Sequence, residues 1–483
     1  MEIMKNQKKW MFWLLLNLIM SIGILFGQCI TAKATDVVAT VTNSSGETTE
    51  YDDINNAIAN WVDGSTLKLM ADISSGNSGG TKLNSYLRIA EKSVILDLND
   101  HRLHGDFTAN PYSTIYVESS GSLVIKDTAE NKTTRYWENP GYIWKNPKTA
   151  EEGGSGEYTT EGGYINGSMI YIFGTLTLES GNIIGIRKGV WVEGTSGIFN
   201  MSGGRITGSQ WNYACYGVDI RDGATFNLTG GEISYILGAS SLTKSDSAIT
   251  FYNSNENTDQ NTLNISGNPT IKGSVDYNYD TRNIYITDGN RITISGELTN
   301  SELIGVSMQT LGVFTQGWST HMAGKDPADY FESDADGYIA ALTDGGEVCL
   351  RRANITFAAG VGNGEAQSKE ITTRTYRIPS PVELGITAPD GKSFKGWLSD
   401  DNTIYSTDEN IKVTRDLNLT AQWAEPVTVT FDANGGTETD SQIIGTGGKA
   451  VKPSNPTKDG YTFVYWTKDG EEFDFDTEIT TDT

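Results

Sequence analysis

Short alternating stretches separated by glycine and asparagine turns fill most of this chain. One pattern recurs: apolar–x–apolar, then Ser, Thr or Asn, then Gly, then often an apolar residue two positions on. Phe199-Asn-Met201-Ser-Gly-Gly-Arg-Ile206 and Phe226-Asn-Leu228-Thr-Gly-Gly-Glu-Ile233 align without a gap, and Leu176-Thr-Leu178-Glu-Ser-Gly-Asn-Ile183 shares their frame. Leu96-Asp-Leu98 keeps the apolar positions, and looser copies stand at Leu67–Leu69, Leu123–Ile125, Leu263–Ile265 and Ile292–Ile294. Marked by the second apolar residue, the copies fall at 69, 98, 125, 178, 201, 228, 265 and 294, with spacings of 29, 27, 53, 23, 27, 37 and 29. Such intervals suit one solenoid turn of roughly 20–50 residues. The 53 is either one turn with an insertion or two turns.

A second alternating strand precedes most markers, as in Gly189-Val-Trp-Val192, Gly217-Val-Asp-Ile220, Ala248-Ile-Thr-Phe251 and Asn283-Ile-Tyr-Ile286. One period therefore holds two or three short strands. Strands this short bury no face alone, but stacked turn upon turn they share a continuous core. The regular period, without hairpin turns between strands, favours a coil over a sandwich or propeller. Leu98, Leu178, Met201, Leu228, Ile265 and Ile294 are expected to form one inward column. Before the first strand, Asp52 is a plausible N-cap, with Ile54, Ala57, Ile58 and Trp61 at helical spacing. A helix there would cover the open end of the coil, whose edge strands otherwise invite pairing.

The stretch from Tyr51 through Asp63-Gly64-Ser65-Thr66-Leu67, then Val94–Asn99, then the Ser/Thr-Gly-Gly-x-Ile turns, resembles the right-handed parallel β-helix of the pectate-lyase-like superfamily. More narrowly it is similar to non-catalytic surface proteins of Gram-positive gut bacteria. The resemblance spans about residues 37–350 and rests on order and period.

Residues 354–483 hold two copies of a different unit. Asp390-Gly-Lys-Ser-Phe394-Lys-Gly-Trp397 answers Asp459-Gly-Tyr-Thr-Phe463-Val-Tyr-Trp466, and Ile355-Thr-Phe357 answers Val429-Thr-Phe431. With Asp432-Ala-Asn-Gly-Gly436, Pro453 and Pro456, these residues resemble the Listeria–Bacteroides repeat, a small ubiquitin-like β module of bacterial surface proteins including internalin B. The first copy lacks the Asn-Gly-Gly turn and the Tyr after Gly391. The second lacks a counterpart of Asn418–Trp423, so the sequence is expected to be the front part of a longer protein or a truncated product.

The fold class expected is thus all-β: a right-handed parallel β-helix with an N-terminal capping helix, then two β-grasp-like modules. Its segments are a signal peptide at 1–34, the β-helix with its cap at 35–350, a divergent repeat at 354–424 and a truncated repeat at 426–483. The signal peptide follows from a basic Met1–Lys9, an apolar Trp10–Ile30 and the small-residue site Ala32-Lys33-Ala34. Removing its four Lys and one Glu from 36 basic and 61 acidic residues leaves 32 and 60, a net charge of −28. That surface repels nucleic acid and anionic membrane. Cys215 and Cys349 alone remain, too few for a disulfide framework.

Catalytic motifs are sparse. His101 and His104 flank a turn and make no convincing zinc pair. No phosphate loop, nucleophile elbow or Cys-x-x-Cys occurs. Glu332-Ser-Asp334-Ala-Asp336-Gly337 imitates a calcium loop, but Thr343 replaces its final Glu, so a polar turn is expected. The resemblance to lyases implies a search for clustered carboxylates with a base; the best set is Asp219, Arg221, Asp222 and Glu232. Asp219 and Arg221 share one strand face. Aromatic residues crowd elsewhere: Tyr136, Trp137, Tyr142, Trp144, Tyr158 and Tyr164 in one stretch, Trp211, Tyr213 and Tyr216 in another. Of these Trp137, Trp144, Trp211, Tyr213 and Tyr216 are candidate sugar-stacking residues. The expected function is a secreted or surface binding protein, without cofactor or metal, for a glycan or surface protein. A polysaccharide lyase or hydrolase, or a ligand-free envelope spacer, are the alternatives.

Overall fold

Short strands, mostly of three to five residues with a buried–exposed alternation, can build a core only by stacking on equivalents one turn away, and they do so here. The computed structural model describes residues 36–74, 81–105, 113–137, 158–167, 169–184, 189–207, 217–234, 247–254, 260–275, 281–373 and 375–483. The proposed signal peptide, Cys215, and the candidates Trp144, Trp211, Tyr213 and Tyr216 lie outside them, as does the side chain of Trp137.

The chain passes repeatedly through three sheets in rotation. Ile170–Ile172 lies in a nine-stranded sheet, Thr175–Leu178 in an eleven-stranded one and Asn182–Ile184 in a six-stranded one. Val190–Glu193, Ile198–Met201 and Arg205–Thr207 repeat the circuit, each pairing in parallel with its predecessor. We call the eleven-, six- and nine-stranded sheets the first, second and third. Apart from the antiparallel pairing of Thr66–Leu69 with Ala39–Thr42, every pairing within them from Thr66 onward is parallel, the layout of a β-helix. The 53-residue interval is one turn with an insertion, because Ser122–Lys126 pairs directly with Thr175–Leu178. The inserted chain includes an antiparallel pair, Thr134–Trp137 with Tyr158–Glu161.

The inward column differs from expectation at its start. It runs Leu67, Leu96, Ile125, Leu178, Met201, Leu228, Ile265, Ile294. Leu98 is buried two residues further on, at the corner, where a side chain added to Gly163 or Gly181 would meet it within 3 Å. Val94, Leu96 and Leu98 continue one alternation, so a two-residue slip preserves every inward position and the pattern cannot fix the register. The expected Gly-Gly corners are real: Gly231 has φ +85°, and a Cβ there would strike Met201 at 2.7 Å.

Helix α1, Ile54–Ala59, packs on the antiparallel strands Ala39–Thr42 and Thr48–Tyr51 at the start of the first sheet. Its N-cap is Asp53, not Asp52: Asp53 is extended and its carboxylate accepts from the backbone N–H of Asn55 and Asn56. Trp61 lies beyond the helix, buried, its Nε1 donating to Ser65 O at 3.2 Å.

After the coil, the hairpin Tyr338–Leu342 with Val348–Arg352 sends Ala340, Val348 and Leu350 into the coil's core and Ile339 into the next one. That next core lies on a five-stranded sheet where Leu417–Ala424 sits centrally, parallel to Asn354–Ala358 and antiparallel to Ser393–Leu398. Trp397 is fully buried there, its Nε1 donating to Pro379 O at 2.9 Å and its ring edge-on to Phe357 and Phe394. Residues 426–483 hold only short two-stranded pairs around Val427, Val429, Ala450 and Ile479. Trp466 is buried against Phe431 and Phe463, but its Nε1 has no hydrogen-bond partner among the described residues.

Candidate functional site: an aromatic strip on the third sheet

Each strand of the third sheet sends its flanking residues into the core and its centre outward. Ile115 and Val117, Ile170 and Ile172, Val190 and Val192, and Val218 and Ile220 are all core residues. Their centres, Tyr116, Tyr171, Trp191 and Asp219, are register partners in turn and form one outward column. Parallel strands stand about 4.8 Å apart, so the column presents one side chain per turn.

The rings touch. Tyr116 is 6.1 Å from Tyr86, 5.9 Å from Tyr171 and 5.4 Å from Phe173, between centroids. Tyr171 stacks on Phe173 at 6.2 Å and meets the edge of Trp191 at 5.3 Å. All are half-buried. Beyond Trp191 the strip turns polar. The Arg221 guanidinium lies 3.6 Å above the Trp191 ring centre and 4.4 Å from that of Tyr252, sandwiched between them. Its Nε donates to Asp219 Oδ2 at 2.6 Å. Asp219 is fully buried and its Oδ1 has no hydrogen-bond partner among the described residues. Burial pushes its carboxyl up to about 6, against the opposing pull of Arg221. Glu193, paired in register with Arg221, is half-buried and also raised, chiefly by burial, with Arg221 opposing.

Of the four candidate catalytic residues, only Asp219 and Arg221 meet as expected. Asp222 follows Arg221 in a left-handed turn conformation (φ 50°) and accepts from Ser254 N. Glu232 belongs to the second sheet, where it pairs with Arg205 at 3.4 Å. The carboxylate brought to the site instead is Glu193. The strip itself is not among the sequence candidates, although Ile115-Tyr-Val117, Ile170-Tyr-Ile172, Val190-Trp-Val192 and Ile284-Tyr-Ile286 share a legible signal. An aromatic centre between two inward aliphatics must face out.

The remaining candidates have ordinary partners. His104 Nδ1 is 3.0 Å from Asn166 Oδ1, and His101 lies 3.5 Å from Asp72. Asp334 accepts from Asn283 N and the Ser307 hydroxyl, and Glu332 pairs with Lys412. Among the described residues no group of three or more His, Cys, Asp or Glu side chains is placed to hold a metal.

Comparison with known proteins places the C-terminal part. Residues 354–422 and 428–483 each match the Listeria-Bacteroides repeat domain. Two proteins of Evansella cellulosilytica are similar to this chain. One, provisionally named a membrane protein, is 29% identical over 128 residues, 26% of this chain and 18% of its own. The other, provisionally named a Gly-rich membrane protein, is 27% identical over 171 residues, 34% of this chain and 19% of its own. The chain thus spans about a fifth of these relatives. No solved structure matches. Among the described residues no helix is long and apolar enough to cross a membrane.

Proposed function

We propose that the chain is a secreted or surface-displayed bacterial glycan-binding protein, its coil a binding head on a stalk of repeats. In this reading the coil is a pectate-lyase-like right-handed β-helix capped by helix α1, and the repeats are β-grasp-like. One observation carries the function: Tyr116, Tyr171, Phe173 and Trp191 line an outward face of a rigid sheet, followed by a charged end at Arg221. Half-exposed rings offer apolar faces to the C–H faces of sugars, and the neighbouring charged groups offer hydrogen bonds to hydroxyls. A strip along the coil suits an extended chain rather than a single small molecule.

The experiment is a glycan array with the full chain beside its Trp191→Ala/Tyr171→Ala double variant. Binding by the wild type and at least tenfold loss in the variant are expected, since each ring contributes about 1 kcal/mol or more. Equal glycan binding by both, or none by either, would move the partner to a surface protein.

A second reading, a lyase or hydrolase, draws on the buried Asp219 raised to about 6, within the range of a working acid or base. Release of reducing ends or unsaturated products, abolished by Asp219→Asn, would promote it.

A further inference from the structure

The strip contains two ring clusters with different fillings. At one end the chain fills the ring faces itself, since Arg221 sits between Trp191 and Tyr252 and is neutralised by Asp219. This is a built-in demonstration that the face holds a cation between rings. One to three turns away stand Tyr116, Tyr171 and Phe173, with ring centroids 5.4–6.2 Å apart. No cation–ring contact to these three is found among the described residues.

That second cluster has a carboxylate to spare. Glu193 follows Trp191 by two residues on the same outward face, one position past the paired Ile172 and Val192. No hydrogen bond or ion pair reaches it among the described residues, although it is half-buried. Its charge is felt at both tyrosines: after burial it raises the hydroxyl pKa of Tyr171, and it adds to the rise at Tyr116 behind burial, Glu118 and Tyr86. Glu118 adds a further carboxylate at the rim, held by Arg88. A half-buried carboxylate without a hydrogen bond or ion pair has its desolvation cost only partly offset by the nearby Arg221 charge, and a cation set against the aromatic faces would offset more of it.

We infer that the ligand bears an ammonium group, and that Tyr116, Tyr171, Phe173 and Glu193 select sugar units carrying a free amine over acetylated or anionic ones. This rests on the glycan reading above. The geometry suits it: rings supply cation–π faces, Glu193 supplies the counter-charge, and Arg221 is already committed to Asp219.

The test uses the full chain and calorimetry with β-linked N-acetylglucosamine oligomers and their fully deacetylated counterparts of equal length, at a pH where the amine is protonated. The deacetylated oligomer should bind about tenfold tighter. Glu193→Gln should erase that preference, while Glu50→Gln, the same change of charge on the first sheet, should keep it. Equal or tighter binding of the acetylated oligomer overturns the inference and leaves the glycan reading standing. So does a preference that survives Glu193→Gln, because it then reflects only the overall acidity of the chain. Binding of neither oligomer sinks the inference and counts against the glycan reading as well.

Discussion

The first and third sheets of the coil have the same interior and opposite exteriors. Inward, both are aliphatic and aromatic stacks: Phe199 on Phe226 at 4.8 Å in the first, Val190, Val218 and Ile249 in the third. Outward, the first sheet carries Thr177, Asn200, Asn227 and Asn264 in one column, joined by side-chain hydrogen bonds of 3.2, 2.7 and 2.7 Å. Gln316 and Thr293 continue it at 2.7 Å. That column satisfies itself. The third sheet's column instead leaves the Glu193 carboxylate and Asp219 Oδ1 without a hydrogen bond among the described residues. Groups that pair within the coil stabilise it; groups left wanting are the ones a ligand can satisfy.

The largest effects should come from the shared interior. Leu228→Ala in the first sheet and Ile220→Ala in the third are each expected to cost about 2–5 kcal/mol in chemical denaturation, since both are fully buried. A cost under 1 kcal/mol at either would mean that the two interiors are not equivalent.

The next effect belongs to the third sheet alone. Asp219 has a folded-state value of about 6, above its ordinary 3.8. A carboxyl raised on folding favours the folded state at low pH, and this contribution is lost as pH rises from about 4 through about 6. Wild type should therefore lose about 3 kcal/mol relative to Asp219→Asn across that window. Parallel stability–pH curves for the two proteins would show that Asp219 is solvated or better paired than its position indicates.

The smallest effect is expected on the first sheet's exterior. Asn227→Ala removes one donated and one accepted bond at a half-exposed site, a loss of about 1 kcal/mol. Glycan affinity should stay unchanged. A fall in affinity without a fall in stability would transfer the binding role to the amide column.

How far these faces could be read beforehand depended on what alternation encodes. The period was legible because Phe199–Ile206 and Phe226–Ile233 match residue for residue, and they do stack in register. Alternation also placed Asp219 and Arg221 on one face. It could not separate Leu96 from Leu98, because a slip of two leaves the pattern intact. Nor could it assign Glu232, whose strand begins after a Gly-Gly corner that turns the chain onto another sheet. The helix cap was misjudged by one residue because two aspartates are adjacent, and only backbone geometry chooses between them. Crowding of aromatics in sequence marks Trp144 and Trp211, whereas the strip's column of Tyr116, Tyr171 and Trp191 is assembled from rings 20 to 55 residues apart in sequence and one turn apart in space.

The uneven corners have a consequence of their own. Intervals between turns vary from 23 to 53 residues, yet every strand still meets its successor at the same backbone spacing. Circumference is free while pitch is fixed. The corner at Gly194 is open enough that an added Cβ would touch nothing within 4 Å. The coil therefore behaves as a graduated scale: duplicating a turn would add one mark without moving the others. On the glycan reading proposed above, the length of polymer bound would then be counted in whole turns, and lineages could lengthen or shorten it by unequal exchange between turns that share stretches as alike as Phe199–Ile206 and Phe226–Ile233.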